Sequence, residues 1–338
     1  MNTGLRFAIS GFIALLAHRT SAAAGDLGQQ IAQRDGWAGY HVSMLTDAGS
    51  PCCYEWHGRH GDRQECRLDS NSWSFSKTDE PGHFASETLN VYLHVTHGTV
   101  DRVRAFDGAC SVADAGQVRW LEGTNSGDSI AFLARLADAA GKDMADSAAA
   151  TIALHADPAA TPALVRLADA SHSRHVREQA LFWLAQARGA DGARVVERVA
   201  TSDSDAELRQ QAVFDLSEAH GIDGYAVIHG IAQHDSSEEV RSQALFWMAQ
   251  MNDPRAKNDI LAAISSETSD EVCEQAVFAL SQLKDELGTP ALIALVRGNY
   301  PRKVKERALF WLGESGSDEA MRFLDELLDK RATKPTRS

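Results

Sequence analysis

Basic residues are in short supply. The chain of 338 residues has 33 Lys and Arg against 47 Asp and Glu, a formal charge of −14. Nucleic-acid binding draws on a cationic surface that neutralises phosphates, so this deficit excludes that class of partner. No apolar run approaches the roughly 20 residues that a spanning helix needs. There is no Gly-rich phosphate loop, no H-E-x-x-H and no nucleophile elbow. Ser74-Phe-Ser-Lys77 has the S-x-x-K spacing but sits in a strand-like setting with no companion motif, so it is read as chance. No catalytic residue, metal ligand or cofactor is assigned. Hydrophobic residues at 44% and charged residues at 24% exclude disorder for the bulk of the chain.

The first 24 residues read as a secretory signal. Arg6 precedes the apolar run Phe7–Ala17, and Ala22-Ala-Ala24 ends it in a cleavage pattern. Cleavage after Ala24 removes Arg6 and Arg19, leaving 31 basic against 47 acidic residues, a charge of −16. The expected location is outside the cytoplasm, in the periplasm. Of five cysteines, Cys52, Cys53, Cys66 and Cys110 lie in the first third and Cys273 stands apart. In an oxidising compartment the four suggest two disulfides, with connectivity open and a bridge between adjacent Cys52 and Cys53 disfavoured by geometry. The rival reading takes Cys52, Cys53, His57, His60 and Cys66 as zinc ligands. Their spacing matches no closed zinc module.

Residues 25–125 read as a small β-rich unit. Leu89–Thr96 and Thr99–Phe106 alternate apolar and polar residues around His97-Gly98, which predicts a hairpin. Further strands are expected at Tyr40 and Val42, Tyr54 and Trp56, Trp73 and Phe75, and Val118 and Trp120. From residue 126 to about 330 the period becomes helical, and residues 331–338 read as a disordered tail.

An internal repeat dominates the second region. The lines V-R-E-Q-A-L-F-W-L-A from Val176, L-R-Q-Q-A-V-F-D-L-S from Leu208, V-R-S-Q-A-L-F-W-M-A from Val240, V-C-E-Q-A-V-F-A-L-S from Val272 and V-K-E-R-A-L-F-W-L-G from Val304 start 32 residues apart. A degenerate copy precedes them, with Ala148, Ala149 and Ile152 in matching columns. Each copy is followed by a second apolar helix, with columns Leu164, Val196, Ile228, Ile260, Leu292, Leu324 and, three residues on, Leu167, Val199, Ile231, Ala263, Leu295, Leu327. Ser129–Ala140 reads as an opening cap. Ser204, Ser236 and Thr268, each three residues before a Glu, predict capping boxes, and Pro301 a first helical position. About six stacked helix pairs make an α-solenoid whose repeats, packing on their neighbours, are expected to fold without the β unit.

The V-R-x-x-A-[LV]-F-x-L line followed by an apolar helix resembles HEAT repeats of the type first described in phycobilisome lyases, over residues 144 to about 328. The order of signal, Cys-containing β unit and repeats resembles exported bacterial HEAT-repeat proteins. That resemblance implies protein binding and scaffolding. It does not imply a bilin lyase, because no residue here matches a pigment site.

Within the repeats, Arg177, Arg209, Arg241, Cys273 and Lys305 form one column, read as cations pairing with turn acids such as Asp203, Asp235 and Glu267. The histidines, among them His172, His175, His229 and His234, read as solvated surface. At about 100° per residue, Phe182, Phe214, Phe246, Phe278 and Phe310 fall in the polar arc of five successive helices. Beside them Trp183, Trp247 and Trp311 alternate with Asp215 and Ala279; tryptophan at the edge of the core stripe reads first as filling a gap, although the alternation suggests that the position tolerates exposure. Either neighbouring first helices or the β unit cover the phenylalanine rings, or the column is an exposed ridge, and on the second reading these eight aromatics are the candidate partner-binding residues. The expected function is a noncatalytic protein-interaction scaffold. The alternative is an enzyme, or a metal-dependent enzyme subunit, with its site in the β unit.

Overall fold

The computed structural model describes residues 27–46, 50–51, 54–57, 62–70, 75–76, 86–139 and 141–332. The signal-like residues 1–24, Cys52, Cys53, His60, Trp73, Ser74 and Lys77 lie outside them, as does the end of the chain from 333.

The hairpin forms as read. Strands β6 (Thr88–Thr96) and β7 (Thr99–Asp107) pair antiparallel, joined by His97 and Gly98 at φ 51° and 73°. Two positive φ values make the primed turn whose twist suits a hairpin. β1 (Gly36–Ser43) pairs antiparallel with β6, and short β8 (Arg119–Trp120) runs parallel to β1. The resulting four-stranded sheet has the order β7-β6-β1-β8. Two small ladders accompany it: β2 (Ser50–Pro51) with β5 (Phe75–Ser76), and β3 (Tyr54–His57) with β4 (Asp62–Glu65). A short helix, α1 (Leu27–Ala32), precedes the sheet and was not legible as such, since its six residues carry too little periodicity.

Helices α2 (Ser126–Ala139), α3 (Lys142–Leu154), α4 (Ala160–Leu167), α5 (Arg174–Ala187), α6 (Gly189–Ser202), α7 (Ala206–Ser217) and α8 (Gly224–His234) follow. The stack then continues through α9 (Glu238–Gln250), α10 (Ala256–Ser266), α11 (Asp270–Ser281), α12 (Asp285–Arg297), α13 (Arg302–Ser315) and α14 (Asp318–Ala332). α2 is the opening cap and α3 to α14 are six helix pairs, so the protein is mainly helical with a small N-terminal sheet. α14 reaches two residues into the expected tail. No described helix is long and apolar enough to cross a membrane.

The caps sit one residue later than the sequence suggested. Asp205 and Ser237 and Ser269 are the N-caps, their side chains accepting from Glu207 N, Val240 N and Val272 N respectively. The preceding carboxylates explain the shift. Asp203 Oδ1, Asp235 Oδ1 and Glu267 Oε1 accept from the N–H groups of Asp205, Ser237 and Ser269 at 2.8–2.9 Å, which folds the turn before the cap. Pro301 is likewise the N-cap of α13 rather than its first residue.

Sheet and solenoid share one core. Tyr40, Val42, Leu93 and Val103 belong to the same buried cluster as Ile130, Leu133, Ala148 and the later repeats. The repeats therefore do not enclose their own core at the N-terminal end, contrary to the expectation of an autonomous stack. A polar chain crosses this junction: Tyr40 Oη lies 2.8 Å from Ser129 Oγ, which lies 2.9 Å from His155 Nε2, while His155 Nδ1 donates to Thr151 O at 2.7 Å. Burial presses the His155 ring down to about 4, so it is neutral. Backbone bonds from Leu45 N to Leu154 O and from Ala156 N to Ser43 O, both under 3 Å, complete the joint.

The disulfide expectation needs correction. No disulfide joins two of the described residues, and Cys66 is a buried thiol within the sheet's second cluster, with Leu68, Tyr92 and Phe106. Two bridges among Cys52, Cys53, Cys66 and Cys110 are therefore not formed. Cys66 is packed instead as a small apolar side chain in that cluster.

Candidate interaction surface

The first helices α5, α7, α9, α11 and α13 stand side by side. An ion pair ties each of the early ones to the next turn. Arg177 pairs with Asp203, Arg209 with Asp235 at 2.8 Å, and Arg241 with Glu267 at 2.9 Å. Each guanidinium also donates to a backbone carbonyl: Arg177 to Ala168, Arg209 to Asp203, Arg241 to Asp235. The side chains are nearly covered, so the column is structural, as read. Burial alone would raise the Asp235 and Glu267 carboxyls, but the guanidinium bonds outweigh it and hold both below their ordinary values. Where Cys273 replaces the arginine, Asn299 stands 26 residues on in place of the acid, so the pair is lost as a pair. The Cys273 thiol contacts Ile264 O and Glu267 O instead, and burial pushes it up.

The phenylalanine column forms an aromatic ladder. Ring centroids lie 4.9 Å apart for Phe214 and Trp247, 5.1 Å for Trp247 and Phe246, and 6.0 Å for Phe246 and Phe278. Phe278 and Trp311, and then Trp311 and Phe310, follow at 5.0 Å. Six rings on four helices thus touch in sequence. Phe214, Phe246 and Phe278 are half-buried, and Phe310 is 50% exposed. Tryptophan recurs every second repeat because its indole reaches back over the phenylalanine of the preceding helix. The indole nitrogens of Trp247 and Trp311 are buried and lack a hydrogen-bond partner.

The other members of the tryptophan column are not exposed. Trp183 is 5% exposed, and Asp215 and Ala279 are fully buried. Alternation there reflects packing between helices, which corrects the reading of tolerated exposure. Asp215 was missed as a feature. Its Oδ1 accepts from Gln211 Nε2 at 3.1 Å and its Oδ2 has no partner. Burial pushes its carboxyl up to about 8, against the Gln211 bond that lowers it.

Phe182 and Trp183 stand apart from the ladder as a pair, with centroids 5.3 Å apart. They line a cavity of about 590 Å³ whose other walls come from β7 and α3, including Asp101, Arg104, Asp143 and Asp146. No sequence signal marked this cavity, since docking of the sheet on α3 creates it. His175 and His172 are not solvated as expected. They face the preceding helices, with His175 Nε2 2.5 Å from Asp146 Oδ1 and His172 Nε2 3.6 Å from Asp138 Oδ1. His229 Nε2 meets Gln233 Nε2 at 2.9 Å, and His234 is exposed. Among the described residues no three His, Cys, Asp or Glu side chains gather as a metal-binding group.

Comparison with known proteins adds a family over part of this surface. A family model for HEAT repeats matches residues 226–309. No curated protein matches the chain. Among solved structures, human deoxyhypusine hydroxylase in complex with glycerol is 16% identical, with a TM-score of 0.26, over 62% of this chain and 80% of that one. A structure from the computational design of self-assembling cyclic homooligomers is 20% identical, with a TM-score of 0.13, over 62% and 74%. A de novo designed 16-helix transmembrane nanopore is 21% identical, again at 0.13, over 61% and 63%. At these TM-scores the likenesses carry neither fold nor function to this chain.

Proposed function

We propose that the protein is a noncatalytic scaffold that binds another protein along its first helices, outside the cytoplasm. The observation that carries this reading is the run of half-exposed rings from Phe214 to Phe310, repeated in step with the helices. Aromatic side chains held at a surface by regular structure are the usual anchors of protein interfaces. HEAT repeats, matched at residues 226–309, generally serve as protein-interaction scaffolds. Export rests on the signal-like residues 1–24, and the bacterial, periplasmic setting on the layout of the chain. A single disulfide with Cys110 as one half is part of the same proposal.

The test compares wild type with Phe246→Ala and Phe310→Ala by proximity labelling in the native cell, with fractionation and N-terminal sequencing of the mature chain. The reading expects a mature start at Gly25 and a neighbour set that both variants lose. Unchanged neighbours in two folded variants would end the scaffold reading. A cytoplasmic, uncleaved chain would end the exported one.

A further inference from the structure

Two columns flank the ladder, and they differ from it in a way that names a partner. Three residues before the ladder's phenylalanines stand Gln211, Gln243 and Gln275, with Arg307 in the last repeat, and Gln211 spends one N–H on Asp215 Oδ1. An amide both donates and accepts, so a ladder of them offers paired hydrogen bonds at a regular step. A helical ligand has no use for that, because its backbone groups are satisfied internally. An extended chain presents N–H and C=O groups outward along its length. The amide column therefore favours an extended ligand over a helical one.

Charge gives the second half. In the positions four and three before and four after the ladder's phenylalanines, the acids are Glu218, Glu274, Glu306 and Glu314, of which Glu306 pairs with Arg302 at 2.6 Å. Arg307 is the only cation in the same columns, and Glu274 holds it at 3.0 Å. An acidic border around an apolar stripe attracts a basic segment. It disfavours a second copy of this chain, which carries −14 itself.

We propose that the ladder takes an extended, lysine- or arginine-rich segment of a partner protein, its apolar side chains on the rings and its backbone on the glutamine column. This rests on the scaffold reading above and specifies its partner. The four first helices of the ladder at roughly 8–10 Å spacing span up to about 30 Å, which an extended chain covers in about nine residues.

Fluorescence anisotropy on the mature chain tests it with three labelled peptides of that length. One alternates Lys and Leu with prolines that forbid a helix, one replaces its Lys by Glu, and one is a proline-free helical peptide of equal positive charge. The extended basic peptide should bind about tenfold tighter than either other at low salt. Gln243→Ala and Phe310→Ala, both at sites that leave the core intact, should each weaken it severalfold. Equal binding of the acidic or the helical peptide, or wild-type binding by both variants, would overturn the proposal. If native neighbours are lost in Phe310→Ala while the peptides are not distinguished, the scaffold reading stands and this specification alone falls. If neighbours are kept as well, both fall.

Discussion

Arg209 grips Asp235 through two hydrogen bonds of 2.8 Å, Nε to Oδ2 and NH2 to Oδ1, across 26 residues of sequence. The same Asp235 Oδ1 accepts the backbone N–H of Ser237, the cap of α9. One carboxylate thus fixes a helix start and ties it to the preceding repeat. Arg209→Ala leaves that carboxylate buried and unpaired, with an expected cost of about 3–5 kcal/mol in urea melts. The double change Arg209→Met with Asp235→Leu should recover much of it. Because the Asp235 carboxyl is held below its ordinary value, its stabilisation is present above that value and lost as pH falls through the lower folded one. Arg209→Ala should remove that acid-side loss.

Asp215 behaves in the opposite sense. Its carboxyl is pushed from 3.8 up to about 8 in the folded protein. The folded state therefore holds a proton that the unfolded state has released, and stability falls as pH rises between those values. Asp215→Asn keeps a neutral side chain of the same shape. Its melts at pH 5 and pH 8 should lie closer together than those of wild type. An unchanged gap would count against a protonated Asp215.

The neutral His155 gives a third pH effect. Its ring is depressed from 6.5 to about 4, so its share of stability is present above 6.5 and lost as pH falls toward 4. Proton NMR should find the ring neutral at pH 6. Ser129→Ala breaks the chain from Tyr40 to His155 and takes the side-chain partner from the Tyr40 hydroxyl and from His155 Nε2, while Nδ1 keeps Thr151 O, at about 1–3 kcal/mol.

A fragment of residues 126–332 should fail to hold a native core. It loses Tyr40, Val42, Leu93 and Val103 from the cluster that covers Ile130 and Leu133. Dye binding, loss of near-ultraviolet dichroism and aggregation on gel filtration are the expected results, with far-ultraviolet helicity largely kept. A monodisperse fragment with native near-ultraviolet signal would show that the sheet is dispensable.

Phe246→Ala should cost about 1–2 kcal/mol, between the values for surface and core changes, because the half-buried ring loses contacts to Trp247 and Phe278. Phe310→Ala, at a ring half open to solvent, should stay within about 0.5 kcal/mol. Denaturant melts of the two variants together separate ladder packing from the exposed end.

The sequence by itself determined the repeat, its 32-residue step, the two apolar columns and the arginine–acid pairs. Each of these depends on contacts within a helix or between neighbouring repeats, so periodicity carries it. The hairpin was legible for the same reason, as His97-Gly98 permits little else between two alternating runs. Tertiary structure decided the rest. That Asp215 is buried and Phe310 is open follows from where the next helix lies, since both occupy positions whose neighbours in sequence look alike. The caps moved by one residue because a carboxylate two positions earlier was already committed to an arginine in the previous repeat. Cys66 became a buried thiol when segments far apart in sequence closed the sheet's second cluster, and the cavity beside Trp183 came into being only when the sheet settled on α3. No local pattern encodes that docking, because its energy comes from apolar surface shared between segments far apart in the chain.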